Sequence, residues 1–86
     1  MSSYAVEFAR SAGKELAKLP PPTRLRILRA IDQLSKNPRS GNTRPMVGSS
    51  SWRLRVGDYR VVYDIFDSHL VITIIRVRHR REAYRK

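Results

Sequence analysis

The sequence predicts an α+β fold in which a helical hairpin covers one face of an antiparallel sheet, in the order β-α-α-β-β-β with a candidate extra strand. Two segments with helical spacing of apolar residues follow a short alternating strand, and the C-terminal part alternates throughout. The chain has 86 residues, and at that size most large apolar side chains are needed for one core. We therefore expect residues 1–86 to form a single domain without a deep cofactor pocket.

The first part of the chain predicts a strand followed by two helices. Tyr, Val and Phe alternate with other residues in segment 4–8, as in a half-buried edge strand. Residues 9–19 have apolar side chains at helical spacing, although Gly13 costs this helix about 1 kcal/mol relative to Ala. Prolines 20–22 fix the turn and start a second helix, which Asn37-Pro38 ends.

The rest of the chain predicts a loop and a three-stranded meander. Residues 39–51 are rich in Gly, Ser, Asn and Pro and indicate a loop, in which residues 44–47 are a candidate short strand. Three alternating segments follow, residues 52–56, 59–66 and 69–78, separated by the turns Gly57-Asp58 and Asp67-Ser68.

Arginines occupy alternate positions in these strands. Because successive strand residues face opposite sides, Arg53 and Arg55 face away from Trp52, Leu54 and Val56. The predicted pairing places further arginines on the same face, and if the last strand stays regular the set is Arg53, Arg55, Arg60, Arg76, Arg78 and Arg80. This face is either an anion site or the solvated side of a half-exposed sheet, and charge alone weighs the two about equally.

The charge balance favours a polyanionic partner. Lys and Arg number 18 against 7 Asp and Glu, for a net charge of +11, and 14 of the 18 are arginine. Arginine binds phosphate through two parallel hydrogen bonds. An acidic protein partner, or solubility alone, is the alternative explanation of the charge.

Several function classes find no support. There is no cysteine and only two histidines, so we expect no disulfide and no metal site. No glycine-rich phosphate loop, catalytic triad or carboxylate pair is present, and we expect no cofactor. The chain has no signal-peptide pattern and no apolar run of the roughly 20 residues that span a bilayer, so we expect a soluble cytoplasmic protein.

The C-terminal segment supplies groups that suit RNA cleavage without a metal. His79 can exchange a proton near neutrality, Arg80 and Arg81 can neutralise a crowded phosphate, and Tyr84 can stack on a base or donate a hydrogen bond. The alternative is that these are ordinary surface residues, with Tyr84 packed on the sheet.

Two segments resemble the RelE branch of the RelE/ParE toxin superfamily. They are WRLRVGDYRVVY at residues 52–63 and HRREAYR at residues 79–85, and YAVEF at residues 4–8 with the following helical pattern agrees. The resemblance covers almost the whole chain. It implies a type II toxin that enters the ribosomal A site and cleaves mRNA by attack of a 2′-hydroxyl on the adjacent phosphate, without a metal.

The resemblance also implies a role for each residue. Arg53 and Arg55 match two basic positions of the first meander strand, and Arg60 matches an arginine that clamps phosphate. Arg80 matches the arginine that stabilises the transition state, Tyr84 matches a tyrosine that orients the substrate, and His79 is an additional candidate. The other expected RNA-binding residues are Arg76, Arg78 and Arg81.

One departure from the family pattern affects the mechanism. Better-known members of the family carry lysine where this chain has Arg53 and Arg55, and lysine can lose its proton whereas arginine stays charged. We expect these two arginines to act electrostatically, which leaves the general base to His79, Tyr84 or a group of the RNA.

The resemblance implies partners and leaves two other functions open. The expected partners are a cognate antitoxin, RelB-like or another small DNA-binding protein, in a hetero-oligomer, and the ribosome with bound mRNA; no membrane is expected. The first alternative is a ParE-like toxin that inhibits DNA gyrase without cutting RNA, because one scaffold can serve both functions. The second is an RNA-binding module or an inactive toxin.

Overall fold

The structure, a computed structural model, describes residues 3–83, and of residues 82 and 83 the backbone alone. Its elements are β1 (Ala5–Phe8), α1 (Arg10–Ala17), α2 (Pro21–Lys36), β2 (Thr43–Pro45), β3 (Trp52–Val56), β4 (Tyr59–Phe66), β5 (Val71–His79) and α3 (Arg80–Ala83). The predicted fold class is confirmed, and the candidate strand in the loop is β2. The short helix α3 was not expected.

The five strands form one mixed sheet in the order β1-β5-β4-β3-β2. The strands β2 to β5 pair antiparallel, as predicted, and β1 lies at the edge. The expectation of a purely antiparallel sheet is wrong for one pair, because β1 runs parallel to β5 with Ala5 opposite Val71. A parallel pair needs a long crossover, and the helices and the first meander strands together provide it.

The core lies between the helical hairpin and one face of the sheet. The α1 stripe buries Ala12 and Leu16, and α2 contributes Ile27, Ile31 and Leu34 at the spacing i, i+4, i+7. The sheet supplies the other fully or almost fully buried residues, which are Leu54, Val56, Val61, Tyr63, Ile72, Ile74 and Val77. Both helices lie on this face, so the opposite face of the sheet is open.

The bounds of α2 follow from its end residues. Pro21 is its first residue, where the missing N–H costs no helical hydrogen bond. At the other end the Asn37 N–H donates to the Gln33 carbonyl at 3.1 Å, and Pro38 follows. Within residues 3–83 no helix is long and apolar enough to cross a membrane.

A polar cluster fastens the loop after α2 to the sheet. Arg39 binds both carboxylate oxygens of Asp67, at 3.2 and 2.7 Å, and the Tyr4 hydroxyl donates to the same carboxylate at 2.7 Å. The hydrogen bonds from Arg39 and then Tyr4 lower the pKa of Asp67. Below them the buried Tyr63 hydroxyl donates to the Pro38 carbonyl at 2.6 Å, and burial raises the pKa of Tyr63 to about 12.

Candidate functional site

The open face of the sheet carries two rows of side chains that run across the strands. In one row Arg55 of β3 lies opposite Arg60 of β4, which lies opposite Arg78 of β5. In the other row the order is Arg44 of β2, Arg53, Val62 and Arg76. We call this surface, formed by Arg44, Arg53, Arg55, Arg60, Arg76 and Arg78, the arginine face.

Alternation in β3 and β4 explains why these side chains share one side. Leu54 and Val56 are buried beneath the helices, so Arg53 and Arg55 face the other way. Val61 is buried likewise, which places Arg60 on the open side. The predicted segregation of arginines from the core is confirmed for these two strands.

A bulge in β5 places its arginines on the same face. Ile74 pairs with Tyr63 and Arg76 pairs with Val62, so Ile75 lies between them with no partner in β4. In a regular strand Arg76 would follow Ile72 and Ile74 onto the core side. The bulge absorbs one residue and turns Arg76 to the open side.

Arg80 reaches this surface differently from the prediction. The prediction placed Arg80 on this face only if the last strand stays regular that far, and this condition is not met, because β5 ends at His79 and Arg80 is the first residue of α3. The Arg80 N–H donates to the Asp58 carbonyl at 2.6 Å, which turns the chain. Even so, Arg80 lines a groove of about 220 Å³ together with Arg55 and Arg60.

A second groove lies on the other side of the same two arginines. It has a volume of about 240 Å³ and is lined by the loop residues 41 and 42, by the start of β2, and by Arg53, Arg55 and Arg60. Arg55 and Arg60 therefore separate two arginine-lined grooves. Guanidinium groups at this density favour a ligand with several negative charges, such as consecutive phosphates.

His79 is not brought together with the arginine face. It lies opposite Tyr59, and the two rings pack edge to face with centroids 5.2 Å apart. Both side chains border a cavity with Thr23 and Ile27 of α2, on the helix side of the sheet. The His79 Nδ1 accepts a hydrogen bond from the Arg81 N–H at 3.2 Å, which caps α3.

The remaining predicted residues fall at or beyond the end of the described chain. Arg81 is exposed in the first turn of α3. Tyr84 lies outside the described residues. The described site therefore does not include this predicted tyrosine.

A carboxylate from α1 reaches the arginines of β5. Glu15 Oε2 lies 3.3 Å from both the Arg76 Nη1 and the Arg78 Nε. Its Oε1 accepts a hydrogen bond from the Val77 N–H at 2.8 Å. Arg76 and Arg78 therefore differ from the arginines of β3, because each already has an anionic partner within the chain.

Sequence reasoning missed two contributors, Arg44 and Glu15. Arg44 was within the candidate strand, and its pairing with Arg53 follows once β2 is placed beside β3. Glu15 gave no local signal, because it is more than 60 residues from the arginines that it contacts. Among the side chains of residues 3–81 there is no cluster of three His, Cys, Asp or Glu residues that could hold a metal ion.

Comparison with known proteins gives the family. The family model described as "ParE toxin of type II toxin-antitoxin system, parDE" matches residues 6–84. The chain belongs to this toxin family. It is also 37% identical to Toxin RelG of Mycobacterium tuberculosis, over 96% of this chain and 98% of that protein. It is 30% identical to the mRNA interferase toxin RelE of Escherichia coli, over 95% of this chain and 90% of RelE.

Solved structures of this family have the same fold. The RelBE2 toxin-antitoxin complex of Mycobacterium tuberculosis contains a chain with a TM-score of 0.85 and 32% identity, matched over 92% of this chain and 93% of that one. The RelE-RelB complex of Pyrococcus horikoshii gives a TM-score of 0.80 and 28% identity, over 91% and 96% of the two chains. The predicted membership of the RelE/ParE superfamily, in its RelE-like branch, is confirmed.

Proposed function

We propose that this chain is the toxin of a type II toxin-antitoxin pair and that it cleaves mRNA in the ribosomal A site. The observation that carries the proposal is the position of Arg55 and Arg60 between two grooves, one of which also holds Arg80. Three guanidinium groups at one phosphate suit a reaction in which negative charge builds up on phosphate oxygens. The relationship to RelE, which is named an mRNA interferase, supports the same choice.

The proposed reaction uses the RNA's own nucleophile. The 2′-oxygen attacks the adjacent phosphorus, the bond to the 5′-oxygen breaks, and a 2′,3′-cyclic phosphate and a 5′-hydroxyl result. The 2′-hydroxyl loses a proton and the leaving 5′-oxygen gains one. Arg55, Arg60 and Arg80 stabilise the negative charge on the pentavalent phosphorus of the transition state, and no metal ion is needed for that step.

The proton transfers are assigned by position. Neither histidine lies on the arginine face: His79 is on the helix side and His69 is in the turn before β5. We therefore assign no proton transfer to His79. Tyr84 or an RNA group is the remaining candidate for the general base. Tyr84→Phe should lower the cleavage rate by a much larger factor than the factor by which Tyr84→Trp lowers RNA affinity.

The test maps cleavage sites during translation. The protein is added to a translating extract, and the 5′ ends of the mRNA are mapped relative to the stalled ribosome. Arg60→Ala and Arg80→Ala should each reduce A-site cutting by about 100-fold, the usual effect of removing one donor to a developing anion. Arg29→Ala, a matched loss of one exposed arginine on α2, should leave cutting unchanged. Absence of A-site cuts with the unaltered protein would refute the proposal.

The chemistry of the ends tests the metal-free step separately. A cyclic phosphate and a 5′-hydroxyl at the cut agree with attack by the 2′-oxygen. A 5′-phosphate would instead indicate attack by water, the usual product pattern of a two-metal nuclease, and would overturn that part of the proposal.

A second function is favoured by the description of the family model, which names ParE. A ParE-like toxin would inhibit DNA gyrase without cutting RNA. A supercoiling assay with purified gyrase separates the two, because an mRNA interferase should not slow supercoiling at concentrations that stop translation.

We also propose that the chain, as one domain in the cytoplasm, pairs with a RelB-like antitoxin. The similar chains in the Mycobacterium tuberculosis and Pyrococcus horikoshii structures were solved as toxin-antitoxin complexes. Co-expression with the protein encoded by the adjacent reading frame should give a hetero-oligomer on size exclusion and should relieve growth arrest. Arrest that persists despite complex formation would count against an antitoxin role for that protein.

A further inference from the structure

Beyond the end of β1, the edge of β5 is hydrogen-bonded by side chains of α1 rather than by another strand. The strand β1 ends at Phe8, opposite Ile74. Beyond that point the Ser11 hydroxyl donates to the Ile75 carbonyl at 2.9 Å, and Glu15 Oε1 accepts from the Val77 N–H at 2.8 Å. Glu15 is therefore held at the backbone of β5 by one oxygen, while its other oxygen faces the guanidinium groups.

The second oxygen of Glu15 makes the arginines of β5 differ in charge from the arginines of β3. Glu15 Oε2 is 3.3 Å from both the Arg76 Nη1 and the Arg78 Nε. By contrast, among the described side chains, those of residues 3–81, no carboxylate lies within 4.0 Å of the Arg53 or Arg55 guanidinium. The arginines of β5 are partly neutralised, and those of β3 keep their full charge.

The strength of this neutralisation is moderate. The side chains of Arg76 and Arg78 are 43% and 39% exposed, and that of Glu15 is 25% exposed. Ion pairs with this much solvent contact contribute little to stability and exchange partners readily. A phosphate can compete with Glu15 for these arginines, so the effect on RNA binding should be graded rather than absolute.

We propose that Glu15 is a positioning residue that withholds Arg76 and Arg78 from RNA, so that the phosphates bind along Arg53 and Arg55. This inference rests on the proposed function, because it takes RNA as the ligand. The carboxylate competes with phosphate for the two β5 arginines, and the RNA backbone follows Arg53 and Arg55, which have no carboxylate partner among the described side chains. Glu15 thus narrows a broad cationic surface to one path for the phosphates.

The test measures how RNA affinity depends on salt. The RNA is a short single strand with 2′-O-methyl groups, which cannot be cut by 2′-oxygen attack. Its affinity for the protein is measured at KCl concentrations from about 50 to about 300 mM. Each additional phosphate contact steepens the slope of log affinity against log salt by about 0.7 for a single strand. Glu15→Gln keeps an acceptor for the Val77 N–H but removes the charge. It should tighten binding about 3- to 10-fold at low salt and steepen the slope by about 0.7 to 1.4.

Asp64→Asn is the matched control. Asp64 lies on the same open face and accepts a hydrogen bond from Ser51 rather than pairing with an arginine. The substitution removes the same charge without releasing a guanidinium, so the slope should stay at the wild-type value. An equal steepening in both variants, or none in Glu15→Gln, would overturn the inference.

Two double variants test it without touching Glu15. Arg53→Gln with Arg55→Gln should flatten the salt slope clearly, whereas Arg76→Gln with Arg78→Gln should change it by less than half as much. Equal flattening would contradict the withholding role, even if Glu15→Gln failed to fold. Binding is measured on an RNA that cannot be cut, and cutting is measured on mRNA in the translating extract. A wild-type protein that binds the methylated RNA but makes no A-site cuts in mRNA would therefore refute the proposed function and leave the Glu15 result standing.

Discussion

Arg55 and Arg60 lie directly opposite each other in neighbouring antiparallel strands. Like charges at such a position destabilise a sheet by about 0.2–1 kcal/mol. The pair also separates the two arginine-lined grooves. Two like charges at paired strand positions in the centre of the site suggest that binding, rather than stability, explains the choice of residues.

Arg55→Thr should therefore stabilise the free protein while it weakens cleavage of mRNA in the A site. Threonine suits a strand and removes the repulsion, so the free energy of unfolding should rise by about 0.2–1 kcal/mol at low salt. The gain should shrink near 1 M salt, where the Debye length is about 3 Å. Thermal melts at both salt concentrations measure it. Arg55→Lys keeps the charge and should show no gain, and a destabilised Arg55→Thr would show that Arg55 supports the fold.

Arg44→Gln should weaken RNA binding without affecting the fold. Arg44 is exposed on the edge strand β2 and lines the groove of Arg53, Arg55 and Arg60. Loss of one phosphate contact should flatten the salt slope for single-stranded RNA by about 0.7. The control Arg29→Gln removes an exposed arginine of α2, away from this groove, and should leave the slope unchanged. The same slope in both variants would exclude Arg44 from the RNA path.

The elements of this fold were predictable because local patterns specify them. Alternation in β3 separates Leu54 and Val56 from Arg53 and Arg55, and helical spacing in α2 marks Ile27, Ile31 and Leu34 as core. The strand order of the meander follows from two short turns. Only neighbouring residues are needed for these inferences.

The parts that were missed depend on contacts between distant segments. The bulge at Ile75 changes which residues face the core, yet a single extra residue has no distinctive local signature. The turn at Arg80 depends on the Asp58 carbonyl, and Glu15 reaches β5 only after α1 has packed on the sheet. Long-range packing decides these positions.

Two glycines should respond in opposite ways to alanine. Gly57 has a φ of +58°, and a Cβ there would lie 3.1 Å from the Arg26 Nη1. The left-handed conformation costs an alanine about 1–2 kcal/mol, so Gly57→Ala should lower the free energy of unfolding by at least that much. Gly13 lies within α1, where a Cβ would meet no atom within 4 Å outside its own stretch of helix, and Gly13→Ala should add about 0.5–1 kcal/mol to the free energy of unfolding. Urea melts of both variants check the signs, and a stabilised Gly57→Ala would contradict the described turn.

Asp67→Asn should remove part of the loss of stability in acid. The hydrogen bonds from Arg39 and Tyr4 lower the pKa of Asp67 from its usual value of 3.8. A lowered pKa stabilises the fold above the unfolded value, and this contribution is lost as the pH falls through the folded pKa. The wild-type protein should thus lose more stability than Asp67→Asn between pH 5 and about pH 2. Parallel acid titration curves for the two proteins would show that the cluster does not couple to folding.

Tyr63→Phe should act at the opposite end of the pH range. Burial raises the pKa of Tyr63 from 10.0 to about 12, so the folded state holds this proton more tightly than the unfolded chain. That contribution is complete below pH 10 and is lost as the pH rises towards 12, because the unfolded tyrosine ionises first. Phenylalanine cannot ionise, and the variant should show a shallower fall in melting temperature above pH 10. At neutral pH it should be less stable by about 1–3 kcal/mol, since the buried Pro38 carbonyl loses its donor. Equal alkaline slopes in the two proteins would mean that the Tyr63 hydroxyl reaches solvent before the chain unfolds.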